Sequence, residues 1–251
     1  LDICARLKEI DPFWIEEPTH PDDILGHKTL ADAIAPVKLA LGEHVPNRIA
    51  FKNYPSCGGT IASTDAILLL MQQHGLERQD VARIDVRVTP YIYDMTGGLF
   101  KIGSNPRVDA QFSIQYCVAN ALLRGESAIR HFDEDHIRDT EILDLVEAIH
   151  VVPDSRLEGE RQGSSLRADM DVATRSGDVY QISIPVPSGF PGNPMSTARI
   201  IERFEEASHY GGQLILDEAL GMIADLVGQL ERSDDVRGLV PLMCSRQPSY
   251  E

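Results

Sequence analysis

Hydrophobic and polar positions change their spacing along the chain, and each spacing predicts an element. In RIDVRV (83–88), Ile84, Val86 and Val88 alternate with charged residues, the period of a half-buried strand. TIASTDAILLLMQQHG (60–75) reads as a helix stopped by Gly75. VDAQFSIQYCVANALLRG (108–125) predicts one helix ended by Gly125, and DTEILDLVEAI (139–149) a third. HVVPD, LRADMDVAT and DVYQISIPV follow as strands, the last two joined by a hairpin turn at RSGD. Asn193 and Pro194 suit a helix cap and first helical position. TARIIERFEEASHYGG and LILDEALGMIADLVGQL then predict two helices, and CSRQPSYE a tail. Strands and helices are segregated, which indicates α+β with an antiparallel sheet.

Residues 1–52 follow another grammar. ICARLKEI has helical spacing, and PFWIEEP is a short apolar strand ending in acids. DDILGHKTLADAIA gathers Ile24, Leu30, Ala33 and Ile34 near one helical face, and PVKLALGE is a second strand ending in an acid. Strand–helix–strand is the unit of a parallel sheet or barrel, but about two units fall far short of the eight that close a β/α barrel. Three stretches result: 1–52, an incomplete β/α-barrel segment; 53–240, an α+β domain; and 241–251, a tail.

Composition narrows the function classes. The 251 residues carry 23 Lys and Arg against 39 Asp and Glu, a net charge of −16. Such a surface repels phosphate backbones and anionic membranes, so neither nucleic acid nor membrane is expected as a partner. An anionic substrate needs a local cation set against that field. Cys4, Cys57, Cys117 and Cys244 are scattered, which points to free thiols and a cytoplasmic setting. The chain begins with Leu1 rather than Met, which leaves an earlier start to be expected.

Glu16, Glu17 and Glu43 stand at the carboxyl ends of the two early strands. Adjacent strands lie about 4.8 Å apart, so one acid from each could share a Mg²⁺. Acids in such loops also arise simply as solvated turn residues, and His20, His27 and His44 read as solvated. FWIEEPTHPDDILGHKTLADAIAPVKLALGEHVPNRIAFK resembles the enolase superfamily, within it the L-fuconate dehydratase type of sugar-acid dehydratase. The resemblance implies that Glu16 and Glu43 are two of three metal-binding carboxylates, with the third and a lysine base on strands before residue 1. Two carboxylates and water would hold Mg²⁺ weakly.

FKNYPSCGGT (51–60) places Lys52 before a Tyr-Pro turn and Cys57-Gly58-Gly59 before a helix start. Free N–H groups at a helix start favour anions, and a lysine adds charge; a capped turn with a solvated lysine fits the same residues. FKNYPSCGGTIASTDAILLL, NPRVDAQFSIQYCVANALLRG, FDEDHIRDTEILDL and FPGNPMS, in that order, resemble the MmgE/PrpD family over residues 51 to 230. That family includes 2-methylcitrate dehydratase and cis-aconitate decarboxylase. The resemblance implies a smaller α+β domain with return helices, normally beside a helical domain that carries the catalytic histidines and acid. It implies that Lys52 meets a substrate carboxylate, that Cys57 stands where decarboxylases carry a histidine, and that Tyr91, or Tyr93, is an active-site tyrosine in a loop YIYDMTGG. Ile61 stands where many members have a histidine. No cofactor is implied for this part. His131 and His136 in HFDEDH could pair on a metal, but an acid-rich, solvated helix start fits them better.

The two resemblances meet at Phe51-Lys52, as a chimera would. The expected activity is that of a lyase for a small carboxylic acid, incomplete and inactive on its own. The alternatives are a Mg²⁺-dependent sugar-acid dehydratase fragment and a non-catalytic domain, and an exposed apolar face predicts a homodimer.

Overall fold

Alternate burial along one strand organises the larger part of the protein. Ile84, Val86 and Val88 are fully buried, while Arg83, Asp85 and Arg87 project from the other face. The computed structural model describes residues 14–16, 29–33, 38–40, 50–158, 165–211, 215–233 and 235–243, and at 14–16 and 38–40 the backbone alone. It divides the chain into two compact units, Leu1–Ala50 and Phe51–Glu251.

In the first unit, β1 (Trp14–Glu16) pairs in parallel with β2 (Lys38–Ala40), Trp14 opposite Lys38 and Glu16 opposite Ala40. Residues 29–33 between them in sequence are helical. Parallel neighbours need such a crossover, and the strand–helix–strand expectation is met at these positions. ICARLKEI lies outside the described residues.

The second unit contains α1 (Gly58–His74), β3 (Val81–Val88), α2 (Pro90–Thr96), α3 (Pro106–Gln111), α4 (Ile114–Arg124), α5 (Glu134–Ile137), α6 (Thr140–Glu147) and β4 (Ile149–Pro153). After these come β5 (Ala168–Thr174), β6 (Val179–Ile184), α7 (Thr197–Tyr210), α8 (Asp217–Gly228) and α9 (Leu239–Met243). The sheet runs β4–β3–β5–β6. Its β3–β5–β6 part is antiparallel as expected, and β4 joins β3 in parallel, so the sheet is mixed. The physical reason is the long helical excursion from Thr89 to Ala148, which lets the chain re-enter in the same direction.

Helices α1 and α4 cover one face of this sheet and pack on each other, with α6 against α4. Both α1 and α4 are buried on nearly every side through their first two turns, which explains their apolar residues all round. The core joins Ile67, Leu70, Ile84, Ile114, Phe132 and Ile142, among others. On the opposite sheet face Arg87 holds Asp171 through two hydrogen bonds of 2.6 and 2.9 Å. The pair keeps Asp171 below the usual carboxylate range and ties β3 to β5.

Three expectations change. Residues 108–125 form two helices, because the Gln111 carbonyl accepts the Cys57 N–H at 2.9 Å and Ser113 then caps α4 by accepting from the Tyr116 N–H. YIYDMTGG is mainly helix α2, capped by Thr89 with Pro90 in its first turn. The cap of α7 is Ser196, which accepts from the Arg199 N–H, whereas Asn193 donates its amide to the Val186 carbonyl. Helix α9 continues through Met243, and the tail residues 244–251 lie outside the described residues.

The core assignment predicts that Ile84→Ala lowers the stability of this unit by about 2–5 kcal/mol in urea unfolding. Val179→Ala, at a side chain 58% exposed, should change it by less than about 0.5 kcal/mol.

Candidate active site around the Lys52 segment

Residues 51–57 form no regular element, so their backbone groups must find partners elsewhere. The Phe51 N–H donates to the Gly189 carbonyl at 2.9 Å. The Pro55 carbonyl accepts from Gln111 Nε2 at 2.8 Å, and the Cys57 N–H reaches the Gln111 carbonyl. The segment is therefore pinned at both ends.

Side chains fix its middle. Asn53 Nδ2 donates to Ser188 Oγ at 3.0 Å, and Arg199 Nε donates to Asn53 Oδ1 at 2.8 Å. The Tyr54 hydroxyl donates to Asp65 Oδ1 at 2.8 Å. Asp65 also accepts from the Ser188 N–H and the Ser188 hydroxyl, each at 2.8 Å. Asp65 lies on α1 and is 7% exposed; burial raises its carboxyl pKa, and the Ser188 and Tyr54 hydrogen bonds oppose that shift. Burial and the neighbouring Asp65 charge push the Tyr54 phenol far above its ordinary range, so it stays a proton donor to Asp65. Gly189 has φ +83°, and a Cβ there would sit 1.8 Å from the Phe51 carbonyl oxygen, so only glycine fits this approach.

Against this frame the structure locates the residues singled out in the sequence. Lys52 is exposed and forms no ion pair among the described residues. Cys57 is the residue before α1, 9% exposed, with its thiol 3.5 Å from Met95 Sδ on α2. Tyr91 lies one helical turn before Met95 and is 59% exposed. Gly59 allows α2 close to α1, since a Cβ there would stand 3.1 Å from Ile92 Cδ1. The helix carrying Tyr91 thus packs on the start of α1, beside Cys57 and five residues beyond Lys52. Tyr93 is half-buried against the core, and Ile61 is fully buried. A cleft of about 220 Å³ opens beside the segment, lined in part by Asn53, Tyr54, Arg199 and Glu206; Lys52, Cys57 and Tyr91 do not line it.

Glu43 lies outside the described residues, and for Glu16 only the position at the end of β1 is described. Among the described residues no group of three or more His, Cys, Asp or Glu is placed to hold a metal. His131 is not solvated: it is buried, and its Nδ1 accepts the Ala128 N–H. Burial, then the charges of Arg124 and Arg130, lower its pKa to about 4. Burial pushes the Cys117 thiol up to about 12, which makes it an inert core thiol.

Sequence reasoning passed over Asp65, Tyr54 and Ser188. One signal was available: Asp65 is a carboxylate inside the apolar helix TIASTDAILLL, and a charge in such a place demands partners.

A profile for the MmgE/PrpD C-terminal domain matches residues 54–216. The chain belongs to the MmgE/PrpD family. In this MmgE/PrpD chain a second profile, for an enolase C-terminal domain-like fold, matches residues 1–66, so both reach over 54–66. The L-galactonate dehydratase of Hypocrea jecorina is 36% identical over 90 residues, 30% of this chain and 20% of that protein. Mitochondrial enolase superfamily member 1 is 53% identical in Bos taurus and 50% in Homo sapiens, each over 50 residues. Those matches cover 19% of this chain and 11% of each relative, so the chain spans a fifth or less of the curated relatives it matches. The profile matches and the similarity to L-galactonate dehydratase together support a dehydratase- or lyase-like family. No helix among the described residues is long and apolar enough to cross a membrane.

The buried imidazole sets a pH dependence. Its folded pKa lies below the unfolded value of 6.5, so the unfolded state binds the extra proton first. His131 therefore costs nothing above pH 6.5, and stability falls as pH drops from 6.5 toward 4, by at most about 3 kcal/mol. The raised pKa of Asp65 acts with the opposite sign, removing stability as pH rises above 3.8. Urea unfolding of His131→Gln across pH 4 to 7 should show a flatter acid limb than wild type.

Proposed function

We propose that residues 51–243 bind the carboxylate of a small di- or tricarboxylic acid for a lyase reaction, dehydration or decarboxylation, with 2-methylcitrate and cis-aconitate as the substrates to test. One observation carries the reading: Lys52 is exposed and forms no ion pair among the described residues, on a segment whose neighbours are tied down, in a chain of net charge −16. In such a chain a lysine near acids would ordinarily be drawn into an ion pair. A free ammonium on a fixed backbone is suited to an incoming anion, since the segment that carries it is already ordered and only the lysine side chain remains to be fixed on binding. The first turn of α1 beyond it carries no acidic residue, and Cys57 makes no side-chain cap there, so the positive end of the helix dipole is not neutralised locally.

In this reading a proton leaves the carbon beside a carboxylate, its electron pair forms the new double bond, and water departs from the adjacent carbon. For the decarboxylation the carboxylate bond breaks instead, CO₂ departs, and the carbanion takes up a proton. Lys52 anchors the substrate carboxylate, and Cys57 lines the approach to it. Tyr91 orients the substrate or supplies a proton to it. No general base is assigned among these residues. This part of the reaction asks for no cofactor, and binding to an exposed lysine is compatible with either a single chain or a homodimer.

A second reading applies to the first unit. Glu16 ends β1 in a parallel pair, and the enolase C-terminal domain-like match over residues 1–66 covers it. Glu16 and Glu43 would hold Mg²⁺ weakly, as two carboxylates completed by water, for a sugar-acid dehydratase; no step is derived through that ion. The reading also makes the chain a chimera, with its seam near Phe51 and Lys52.

The anion reading predicts that citrate, as a non-reacting probe, binds the full chain at low salt and that Lys52→Met weakens it at least about tenfold, roughly 1.4 kcal/mol. Equal citrate titration of the two proteins removes Lys52 from the site. Turnover of 2-methylcitrate or cis-aconitate that is indifferent to chelator supports the first reading. Chelator-sensitive loss of L-fuconate or L-galactonate supports the second.

A further inference from the structure

Among the described residues Lys52 has no side-chain tie of its own, so the direction its backbone presents depends on its neighbours. Phe51 is bonded to Gly189, and Asn53 to Ser188. Both partners belong to one short loop, in which the Gly189 N–H donates to the Asn193 carbonyl at 2.8 Å and the Asn193 N–H to the Phe190 carbonyl at 2.9 Å. That loop is tied to the core at Ser188, whose N–H and hydroxyl both end on Asp65. The residue on the far side of Asn53, Tyr54, ends on the same carboxylate.

We infer that Asp65 is a positioning residue for Lys52: one buried carboxylate, through Ser188 and Tyr54, fixes the backbone on both sides of that lysine. The chemistry is specific to a carboxylate. It accepts three donors on two oxygens and donates none, whereas an amide would turn an N–H toward at least one of them. Asp65 makes no ion pair among the described residues, so its charge is met by hydrogen bonds alone. Burying a charge in that way is costly, yet it occurs at a position of α1 that is only 7% exposed. Arg199, which bonds Asn53 Oδ1, braces the segment from α7 and is itself balanced by Glu202 at 3.0 Å.

Only the consequence for ligand binding rests on the anion-anchor reading of Lys52; the clamp itself does not. The test uses the full chain with Asp65→Asn, and Ser188→Ala as the milder variant should the first fail to fold. Amide hydrogen exchange at Phe51 should quicken at least tenfold in either folded variant, while the buried amides of α4 keep wild-type protection. Citrate should then bind about tenfold more weakly, and the double variant Lys52→Gln/Asp65→Asn should bind no more weakly than Lys52→Gln alone. A general loss of stability would make the two effects add; additivity overturns the inference. Unchanged Phe51 exchange in a folded variant overturns it as well. Faster exchange together with no citrate binding by wild type supports the clamp and removes the anion-anchor reading instead.

Discussion

A carboxylate enclosed in a helical core loses the hydration that stabilises its charge, and the protein must replace that hydration atom for atom. Asp65 sets this requirement at the centre of α1, and three donors meet it: the Tyr54 hydroxyl, the Ser188 hydroxyl and the Ser188 amide. Each donor comes from a stretch without regular structure. The same bonds that satisfy the charge therefore fasten two irregular segments to helix α1. Gly189 extends the arrangement, because only its missing Cβ lets the loop lie against the Phe51 carbonyl. Loss of the carboxylate would leave three buried donors unpaired at once, whereas loss of a surface pair such as Arg78–Glu141 would leave two solvated groups.

That constraint gives the candidate site its physical character. Lys52 is exposed but its backbone is not free, a combination that separates electrostatics from ordering. The charge remains hydrated and available, and the backbone share of the conformational cost has been met during folding. On the other side of the start of α1, Cys57 touches Met95, and α2 carries Tyr91 outward. Cys57 and Tyr91 thus stand where α2 packs on the start of α1, and Lys52 lies on the segment that leads into Cys57. Cys57 is nearly enclosed at the start of α1, and Ile61 is sealed in the core. Proton transfer at either position would need a group that neither side chain supplies. His131, the most enclosed described imidazole, is committed to the Ala128 amide and kept neutral by burial.

Profiles of two families match this chain, and their matches overlap where the MmgE/PrpD match begins. Both profiles extend over residues 54–66, yet in the structure these residues belong to the second unit. Helix α1 starts at Gly58, and from Gly59 to Ile67 it is buried there without interruption. Its packing therefore follows the α+β core. An enolase-like continuation would need the same residues to serve a barrel, and one apolar helix cannot present all of its sides to two cores.

Local chemistry was legible in the sequence wherever one segment decides its own state. The alternation of Ile84, Val86 and Val88, the glycine stop at Gly75, the turn at RSGD and the parallel grammar of β1 and β2 all depend on side-chain period or on backbone freedom at a single residue. Motif order pointed to the MmgE/PrpD family and to a resemblance to the enolase superfamily, and it drew attention to Lys52, Cys57 and Tyr91. What the sequence could not decide were partnerships between distant segments. The break between α3 and α4 exists because the Gln111 carbonyl is taken by Cys57, 54 positions earlier. The parallel entry of β4 depends on the path of the helices before it. Asp65 reads as an anomaly in an apolar helix until Ser188, 123 residues away, supplies its donors. Period and propensity are properties of neighbours along the chain, but a buried charge is satisfied in space, and only the folded structure brings those donors to it.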